Sequence, residues 1–248
     1  RYLMKNKILI ICAHPDDEIF TFRQIENFPK SHYEIYALFF TESKIRRKEA
    51  ELSCNLNKWN ILFSSDYGLN LYDGKFHLKF RELDIFLTSI LEEYQVILSP
   101  AIEGGHQDHD TIGLSIYMKA LKQKDKQFYF YTTYTALSSF GLYKVMSKSN
   151  YAESLFVEDK KFSKKINLRP LSFFFKVYKS QFKSGFLLSI PWIIQMLLNK
   201  YICTYKIKNI SYLKFYKLVH EIKGTPLFEI HRRCTKNNWL KIILKQLD

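Results

Sequence analysis

Cysteine, glycine and proline are scarce in this chain, which has only 4, 8 and 6 of them among 248 residues. The cysteines lie far apart and form no Cys-x-x-Cys pair, which argues against a disulfide framework and against a cysteine-based zinc site. We find no long flexible linker, internal repeat or low-complexity tract. These absences favour one globular domain over residues 1–248, at the upper end of the sizes that a single domain usually has.

Long hydrophobic runs are also missing. The apolar stretch at residues 186–198 is too short to cross a bilayer and contains a proline. Residues 4–7 lead straight into the first apolar run, so we expect no signal peptide and a cytoplasmic location. Nothing resembles a nucleic-acid-binding motif, so we expect no nucleic-acid partner.

Potential metal ligands follow the first apolar run. Residues 7–11 show no polar alternation, which is typical of a strand buried on both faces in a parallel sheet. The sequence AHPDDE follows at residues 13–18, and Pro15 cannot donate a hydrogen bond to a neighbouring strand. Because ligands of open α/β sheets collect outside the carboxyl ends of the strands, these residues are predicted to lie at a binding edge.

A second polar cluster has the same context. Residues 95–100 are predicted to form a short strand, and the sequence EGGHQDHD at residues 103–110 follows in a glycine-containing loop, before a helix that starts near residue 111. Imidazole nitrogen and carboxylate oxygen suit Zn²⁺, and a catalytic zinc keeps one position open for water. Two such strand ends that meet at one edge predict a metal-dependent hydrolase.

The two motifs, AHPDDE at residues 13–18 and HQDH at residues 106–109, resemble the signature pair of the PIG-L/LmbE-like family, zinc-dependent de-N-acetylases of N-acetylated amino sugars. The resemblance extends over about residues 5–185. It implies that Asp16 is the general base and that His106 stabilises the oxyanion. The implied metal ligands are His14, Asp17 and His109.

The resemblance implies amide hydrolysis at a C–N bond other than a peptide bond. Asp16 can accept a proton from water as the water attacks an acetamide carbonyl. The metal and a protonated His106 would stabilise the tetrahedral oxyanion, and acetate and a free amine would leave. We interpret Asp108 as a residue that orients an imidazole and raises its proton affinity.

Shorter segments resemble further family elements. Arg46 with Glu49 resembles an Arg-x-x-Glu segment, and LYDG at residues 71–74 resembles a Leu-x-Asp-Gly loop. The resemblance implies that Arg46 and Asp73 contact the sugar, although the basic run at residues 44–48, which contains Arg46, is typical of the polar face of a helix. YKSQ at residues 178–181 resembles a C-terminal Tyr-x-Ser-Gln element, to which we assign no role.

The alternation of apolar and helical segments predicts a Rossmann-like, doubly wound, mostly parallel α/β sheet with helices on both faces. The core spans about residues 5–135, and a basic, helix-rich extension with a final strand near residues 226–230 occupies about 136–248. The expected strands are 7–12, 33–40, 60–64, 95–99 and 127–133. The expected helices are about 42–57, 79–94 and 111–123.

Charge is distributed unevenly along the chain. Residues 1–118 contain 13 Lys and Arg against 17 Asp and Glu, whereas residues 119–248 contain 25 against 7. Residues 186–198 are bordered by Lys183 and Lys200, a combination that suits a helix lying on the inner face of an anionic membrane. The alternative is that the apolar residues pack on the sheet while the lysines face solvent.

The expected substrate is therefore an N-acetylated sugar or glycoconjugate, in surface-glycan, glycolipid or nucleotide-sugar metabolism. Two other functions remain open. A non-haem Fe(II) enzyme also uses two histidines and one carboxylate, but usually with His-x-Asp spacing on an antiparallel scaffold, whereas residues 14–17 have His-x-x-Asp spacing. Fe²⁺ or another divalent metal could also replace Zn²⁺ in a hydrolase. The second alternative is a peripheral-membrane or anion-binding protein with an inert metal loop, and the sequence indicates no oligomeric state.

Overall fold

The computed structural model describes residues 5–135, 144–145, 155–198, 201–208, 210 and 234–247. The strands are β1 (Asn6–Cys12), β2 (Tyr33–Phe39), β3 (Asn60–Phe63), β4 (Val96–Pro100), β5 (Gln127–Tyr131), β6 (Tyr134–Thr135), β7 (Lys144–Val145), β8 (Phe156–Glu158), β9 (Lys164–Lys165), β10 (Tyr201–Ile202) and β11 (Thr204–Ile207). The α-helices are α1 (Phe22–Ile25), α2 (Lys44–Asn57), α3 (Phe80–Ile90), α4 (Gln107–Lys122), α5 (Arg169–Val177), α6 (Phe182–Leu197) and α7 (Lys236–Leu247).

Seven strands form the main sheet in the order β3-β2-β1-β4-β5-β11-β8. The first five are parallel, β11 is antiparallel to β5, and β8 at the end of the sheet is antiparallel to β11. After β3 the chain returns to place β4 on the other side of β1, so the strand order reverses between β1 and β4. A crevice at the carboxyl ends of two such strands is where open α/β sheets bind their ligands.

Alternate residues of β1 face two separate hydrophobic cores. Leu9 and Ile11 pack with residues of α3, α4 and α7 on one side of the sheet. Ile8 and Ile10 pack with residues of α1, α2, α5 and α6 on the other side. All four side chains are fully buried. The predicted fold class, a mostly parallel α/β sheet with helices on both faces, is confirmed.

The structure differs from the predicted segments at several ends. Helix α4 begins at Gln107 rather than near residue 111, because the side chain of His106 caps the helix by accepting the N–H of Asp108. Asp108 and Asp110 in the first turn also interact favourably with the helix dipole. His109 therefore lies on a helix and not in the preceding loop. The final strand predicted near residues 226–230 lies outside the described residues.

Candidate metal centre and active site

The three side chains predicted to bind a metal meet at the reversal point of the sheet. His14 and Asp17 follow β1, and His109 lies in the first turn of α4. The Nε2 of His109 is 3.1 Å from the Oδ2 of Asp17, and the Nδ1 of His14 is 3.6 Å from the same oxygen. All three residues are buried, and one donor atom from each lies within 4.8 Å of the other two. The structure thus brings the residues together, while their role as ligands stays a prediction.

The turn after β1 directs the two adjacent carboxylates to different partners. Asp17 accepts a hydrogen bond from the backbone N–H of His14 at 2.8 Å. Asp16 has a φ of 106°, a left-handed conformation that is unfavourable for a residue with a Cβ atom. Its carboxylate pairs with the Nη2 of Arg46 at 3.0 Å, and the same guanidinium group donates to the carbonyl of Pro15. Backbone strain of this kind is often concentrated at functional sites.

The same two carboxylates have opposite pKa shifts. Burial raises the pKa of Asp16 to about 8, against the opposing effect of Arg46. Burial would also raise the pKa of Asp17, but the imidazoles of His109 and His14 outweigh it and lower this pKa. Adjacent groups whose pKa values are pushed apart are suited to different chemical roles. Asp17 is suited to bind a cation, and Asp16 is suited to exchange a proton near neutral pH.

His14 lies in the middle of a cluster of negative charge. Its Nε2 is 3.3 Å from Asp108 and 3.4 Å from Asp73. Burial would lower the pKa of His14, but hydrogen bonds to three carboxylates, of which that to Asp108 contributes most, raise it well above 6.5. The carboxylate oxygens around the buried imidazoles favour a positive charge at this place. A divalent cation would supply that charge, and the mixed nitrogen and oxygen donors fit Zn²⁺ or Fe²⁺.

A second group of potential donors lies next to the first and shares His14 with it. Its members are His14, Asp73, His106 and Asp108. The side chain of Asp73 is 61% exposed, and its Oδ1 is 3.4 Å from the Nε2 of His106. The hydrogen bonds with His106 and His14 lower the pKa of Asp73. Asp73 thus lies at the mouth of the site as a carboxylate, which also suits its predicted contact with a sugar.

Asp108, which we predicted to orient an imidazole, lies closer to the ring of His14 than to that of His106. Besides its 3.3 Å contact with His14, the buried carboxylate accepts the N–H of Gly74 at 2.6 Å and the N–H of Phe76 at 3.2 Å. The Nδ1 of His106 is farther away, at 3.8 Å. Asp108 therefore holds the loop that carries Asp73 against the strand end that carries His14.

His106 differs from the protonated ring that we predicted. Its Nδ1 accepts the backbone N–H of Asp108 at 3.2 Å and so cannot carry a proton while this bond is made. Burial also lowers the pKa of His106. Both observations favour a neutral ring with its proton on Nε2, the atom that faces Asp73. Such a ring can still donate a hydrogen bond to an oxyanion.

Thr133, a residue that the sequence did not indicate, contacts the imidazole of His109. Thr133 donates its hydroxyl to Glu103 at 3.2 Å and its backbone N–H to the same oxygen at 2.7 Å. Its hydroxyl oxygen is therefore left to accept the Nδ1–H of His109 at 3.2 Å. In that tautomer the lone pair of Nε2 would face the side of Asp17. Outer hydrogen bonds of this kind set the tautomer of histidines that bind metals.

Replacement of Thr133 with valine removes that hydrogen bond and keeps the shape of the side chain. We expect the affinity for zinc to fall roughly 10- to 100-fold, because the imidazole loses its orienting partner. The measurement is a competition titration with a chelator. Thr132→Val is the matched control, since Thr132 is also buried but bonds the carbonyl of Cys203. Equal zinc affinity in the Thr133 variant and in the wild type would show that this bond does not support the site.

The Tyr-x-Ser-Gln element braces the turn that carries Asp16. The fully buried Glu18 accepts hydrogen bonds from Tyr178 and Ser53, both at 2.5 Å, and from the backbone N–H of Asp16 at 3.1 Å. Ser180 donates its N–H and hydroxyl to Glu49 at 2.8 and 2.6 Å. The weak sequence matches at residues 46–49 and 178–181 therefore meet in space beside the site.

The Tyr178→Phe variant deletes one donor to a buried carboxylate. We expect the free energy of unfolding to fall by about 1–3 kcal/mol, because Glu18 is left with fewer partners. Urea unfolding followed by circular dichroism measures this. Tyr129→Phe is the control, because the hydroxyl of Tyr129 bonds the exposed Gln127. A loss no greater than that of the control would mean that the Tyr178 hydroxyl does not brace the turn.

Comparison with known proteins agrees with the motifs. Residues 9–120 match the model of the PIG-L family, described as GlcNAc-PI de-N-acetylase. No curated protein matches the chain. Among solved structures, the conserved protein TT1542 from Thermus thermophilus is 15% identical, with a TM-score of 0.48 over 84% of this chain and 97% of that one. The A40926 pseudoaglycone deacetylase Dbv21 is 10% identical, with a TM-score of 0.48 over 84% of this chain and 99% of that one. The family match includes both motifs, so the resemblance to the PIG-L family is confirmed for residues 9–120, a shorter segment than the predicted one of about 5–185.

Proposed function

We propose that this protein is a metal-dependent deacetylase that removes the acetyl group from an N-acetylated amino sugar, free or in a glycoconjugate. The observation that carries the proposal is the meeting of His14, Asp17 and His109 beside a second carboxylate, that of Asp16, which pairs with Arg46. The family match at residues 9–120 supports deacetylation. We propose the cytoplasm as its location and surface-glycan, glycolipid or nucleotide-sugar metabolism as its context.

The proposed ligands of one divalent metal, Zn²⁺ in the first instance, are His14, Asp17 and His109. When bound, such a metal would act as a Lewis acid toward the acetamide carbonyl and would lower the pKa of water. The hydrogen bond from His109 to Thr133 would keep the Nε2 of His109 unprotonated for this purpose. The buried position of all three residues would keep bulk water from competing with the protein ligands.

Asp16 is the proposed general base and then the general acid. As water attacks the acetamide carbon, the Asp16 carboxylate accepts its proton, and a pKa near the working pH suits this transfer. When the C–N bond breaks, Asp16 returns the proton to the amine nitrogen, so that acetate and a free amino sugar leave. Arg46 holds the carboxylate in place through its 3.0 Å ion pair.

His106 and Asp73 are proposed to contact the substrate. The neutral ring of His106 would donate its Nε2–H to the oxyanion that develops on the acetamide oxygen, a charge that exists only near the transition state. Asp73, now 3.4 Å from that nitrogen, would accept hydrogen bonds from hydroxyl groups of the sugar at its exposed position. Arg46, which pairs with Asp16, remains a candidate sugar contact.

The test is acetate release from a panel of acetamido sugars, both free and nucleotide-linked. We expect the purified protein to release acetate, to lose this activity after chelation, and to regain it when Zn²⁺ or Fe²⁺ is added back. Oxygen consumption is recorded in parallel, since a non-haem Fe(II) oxygenase would consume oxygen and release no acetate. Absence of acetate with every sugar and every metal would overturn the proposal.

A further inference from the structure

Helix α6 presents an apolar face to solvent. Its inner side is buried at Gly185, Ser189 and Trp192, and Gly185 lies so close to Phe174 that a Cβ atom would overlap the ring. The outer side and the residue that follows the helix expose eight large apolar side chains, by 39–70% each. These are Phe182, Phe186, Leu187, Ile190, Ile193, Ile194, Leu197 and Leu198. We call this set the outer face of α6.

Contiguous apolar surface of this kind is rare on the exterior of a soluble protein, and it commonly marks a binding site. The helix has 16 residues with Pro191 inside, and Lys183 is its only charged side chain. Among the described residues, no helix is long and apolar enough to cross a membrane. A short helix with one apolar face suits the boundary between lipid headgroups and acyl chains, where it lies parallel to the surface.

The charge around the outer face of α6 indicates what covers it. Residues 160–220 contain 13 Lys and Arg and no Asp or Glu. Three of these cations, Lys176, Lys179 and Lys183, are exposed immediately before or within the first turn of the helix. A second copy of this chain would bring a like-charged segment to the contact. Anionic lipid headgroups, in contrast, complement the lysines and attract them to the surface.

We propose that the outer face of α6 docks on an anionic lipid bilayer, with its apolar side chains at the headgroup boundary and the three lysines at the lipid phosphates. Docking would also orient the candidate active site. Helix α6 follows directly on the 3₁₀ turn Lys179–Gln181, in which Ser180 bonds Glu49. Tyr178, one residue earlier, bonds Glu18 beside Asp16. The proposal goes beyond the deacetylase function and does not depend on it.

Flotation with phosphatidylcholine vesicles, with and without phosphatidylglycerol, tests the docking. We expect the full chain to float with the anionic vesicles at low salt, to be released as salt rises, and to stay behind with phosphatidylcholine alone. The double variant Phe186→Ser/Leu187→Ser should bind at least about tenfold more weakly, because each side chain loses its apolar burial. Each Lys→Gln change at positions 176, 179 and 183 should weaken binding about fivefold.

Ile85→Ser is the matched control, since Ile85 is 62% exposed on α3, away from this helix, and its loss should leave flotation unchanged. Acetate release from a soluble acetamido sugar is measured on the same samples and should not change in the double variant. Three results would overturn the docking proposal. These are no flotation with anionic vesicles at low salt, equal flotation of wild type and double variant, and a wild-type dimer that the double variant converts to a monomer. Flotation without acetate release from any sugar of the panel would instead overturn the deacetylase function alone.

Discussion

The Asp16→Asn variant is expected to lose roughly 100- to 10,000-fold in kcat for acetate release, which is the usual contribution of general acid–base catalysis. Asparagine has nearly the same shape but cannot accept a proton from water or return one to the amine. The left-handed backbone at residue 16 should persist, because asparagine tolerates this conformation better than most residues. The protein should therefore fold and bind metal while turnover collapses.

The measurements for this variant are kcat, KM and the metal content per chain. Asp66→Asn is the matched control, because Asp66 also pairs with an arginine, Arg47, but its side chain is 50% exposed. We expect wild-type kcat in the control. A wild-type kcat in Asp16→Asn would show that another group accepts the proton. Loss of metal from this variant would show instead that Asp16 supports the metal and not the proton transfer.

The His109→Gln variant is expected to lose the metal and, with it, acetate release. His109 is buried, and its Nε2 is held toward Asp17 by the bond of Nδ1 to Thr133. Loss of a ligand should weaken zinc binding by more than the roughly 10- to 100-fold typical of an outer partner such as Thr133. Zinc per chain after dialysis, measured by elemental analysis, gives the outcome.

His77→Gln is the control for that variant. His77 is likewise a buried histidine near Asp108, but it belongs to neither group of potential donors. Circular dichroism establishes that both variants are folded. We expect a full complement of zinc in the control and little in His109→Gln. Equal zinc in the two variants would remove His109 from the ligand set.

The part of the fold that positions the site could be predicted from local patterns. The apolar run that became β1 has no polar alternation, and a strand with that pattern needs helices on both of its faces. If β1 and β4 are adjacent and parallel, the residues that follow the two strands must lie close together, and no other information is needed to predict this. The short antiparallel strands β8 and β11 could not be predicted, because three and four residues carry too little periodicity.

The groups that hydrogen-bond the site histidines could not be predicted, for a different reason. Thr133 is an ordinary threonine after a strand, and only its distance to His109 gives it a role. The hydrogen bond that favours a neutral His106 comes from the backbone N–H of Asp108, which lies close to the ring because α4 begins at Gln107 and not near residue 111. Both contacts follow from where a backbone segment starts or ends, and sequence patterns locate such boundaries only to within a few residues.

The role of residues 178–181 could not be predicted from the sequence either. The partners of this element lie more than a hundred positions away, on α2 and in the turn after β1. Tyr178 and Ser180 resemble ordinary residues of a basic, aromatic segment until the fold brings them to Glu18 and Glu49. Buried polar contacts of this kind depend on tertiary packing, which a local pattern does not encode.

Residues 186–198 were predicted either to lie on a membrane or to pack on the sheet. Each alternative is supported by one side of the helix. The inner side packs on the core through Trp192, as expected of a helix that covers the sheet. The outer side exposes aliphatic and aromatic side chains where a helix facing only water would have polar ones. This exposure favours the membrane over a purely structural role, and vesicle flotation decides between them.

One divalent ion shared by His14, Asp17 and His109 is the feature on which the proposed chemistry depends. Anomalous diffraction at the zinc absorption edge, from crystals grown with zinc, locates such an ion directly. The expected result is one peak about 2.0–2.2 Å from a nitrogen of each imidazole and from an oxygen of Asp17. A peak among Asp73, His106 and Asp108 that leaves His109 beyond bonding distance, or no peak at this edge of the sheet, would contradict it.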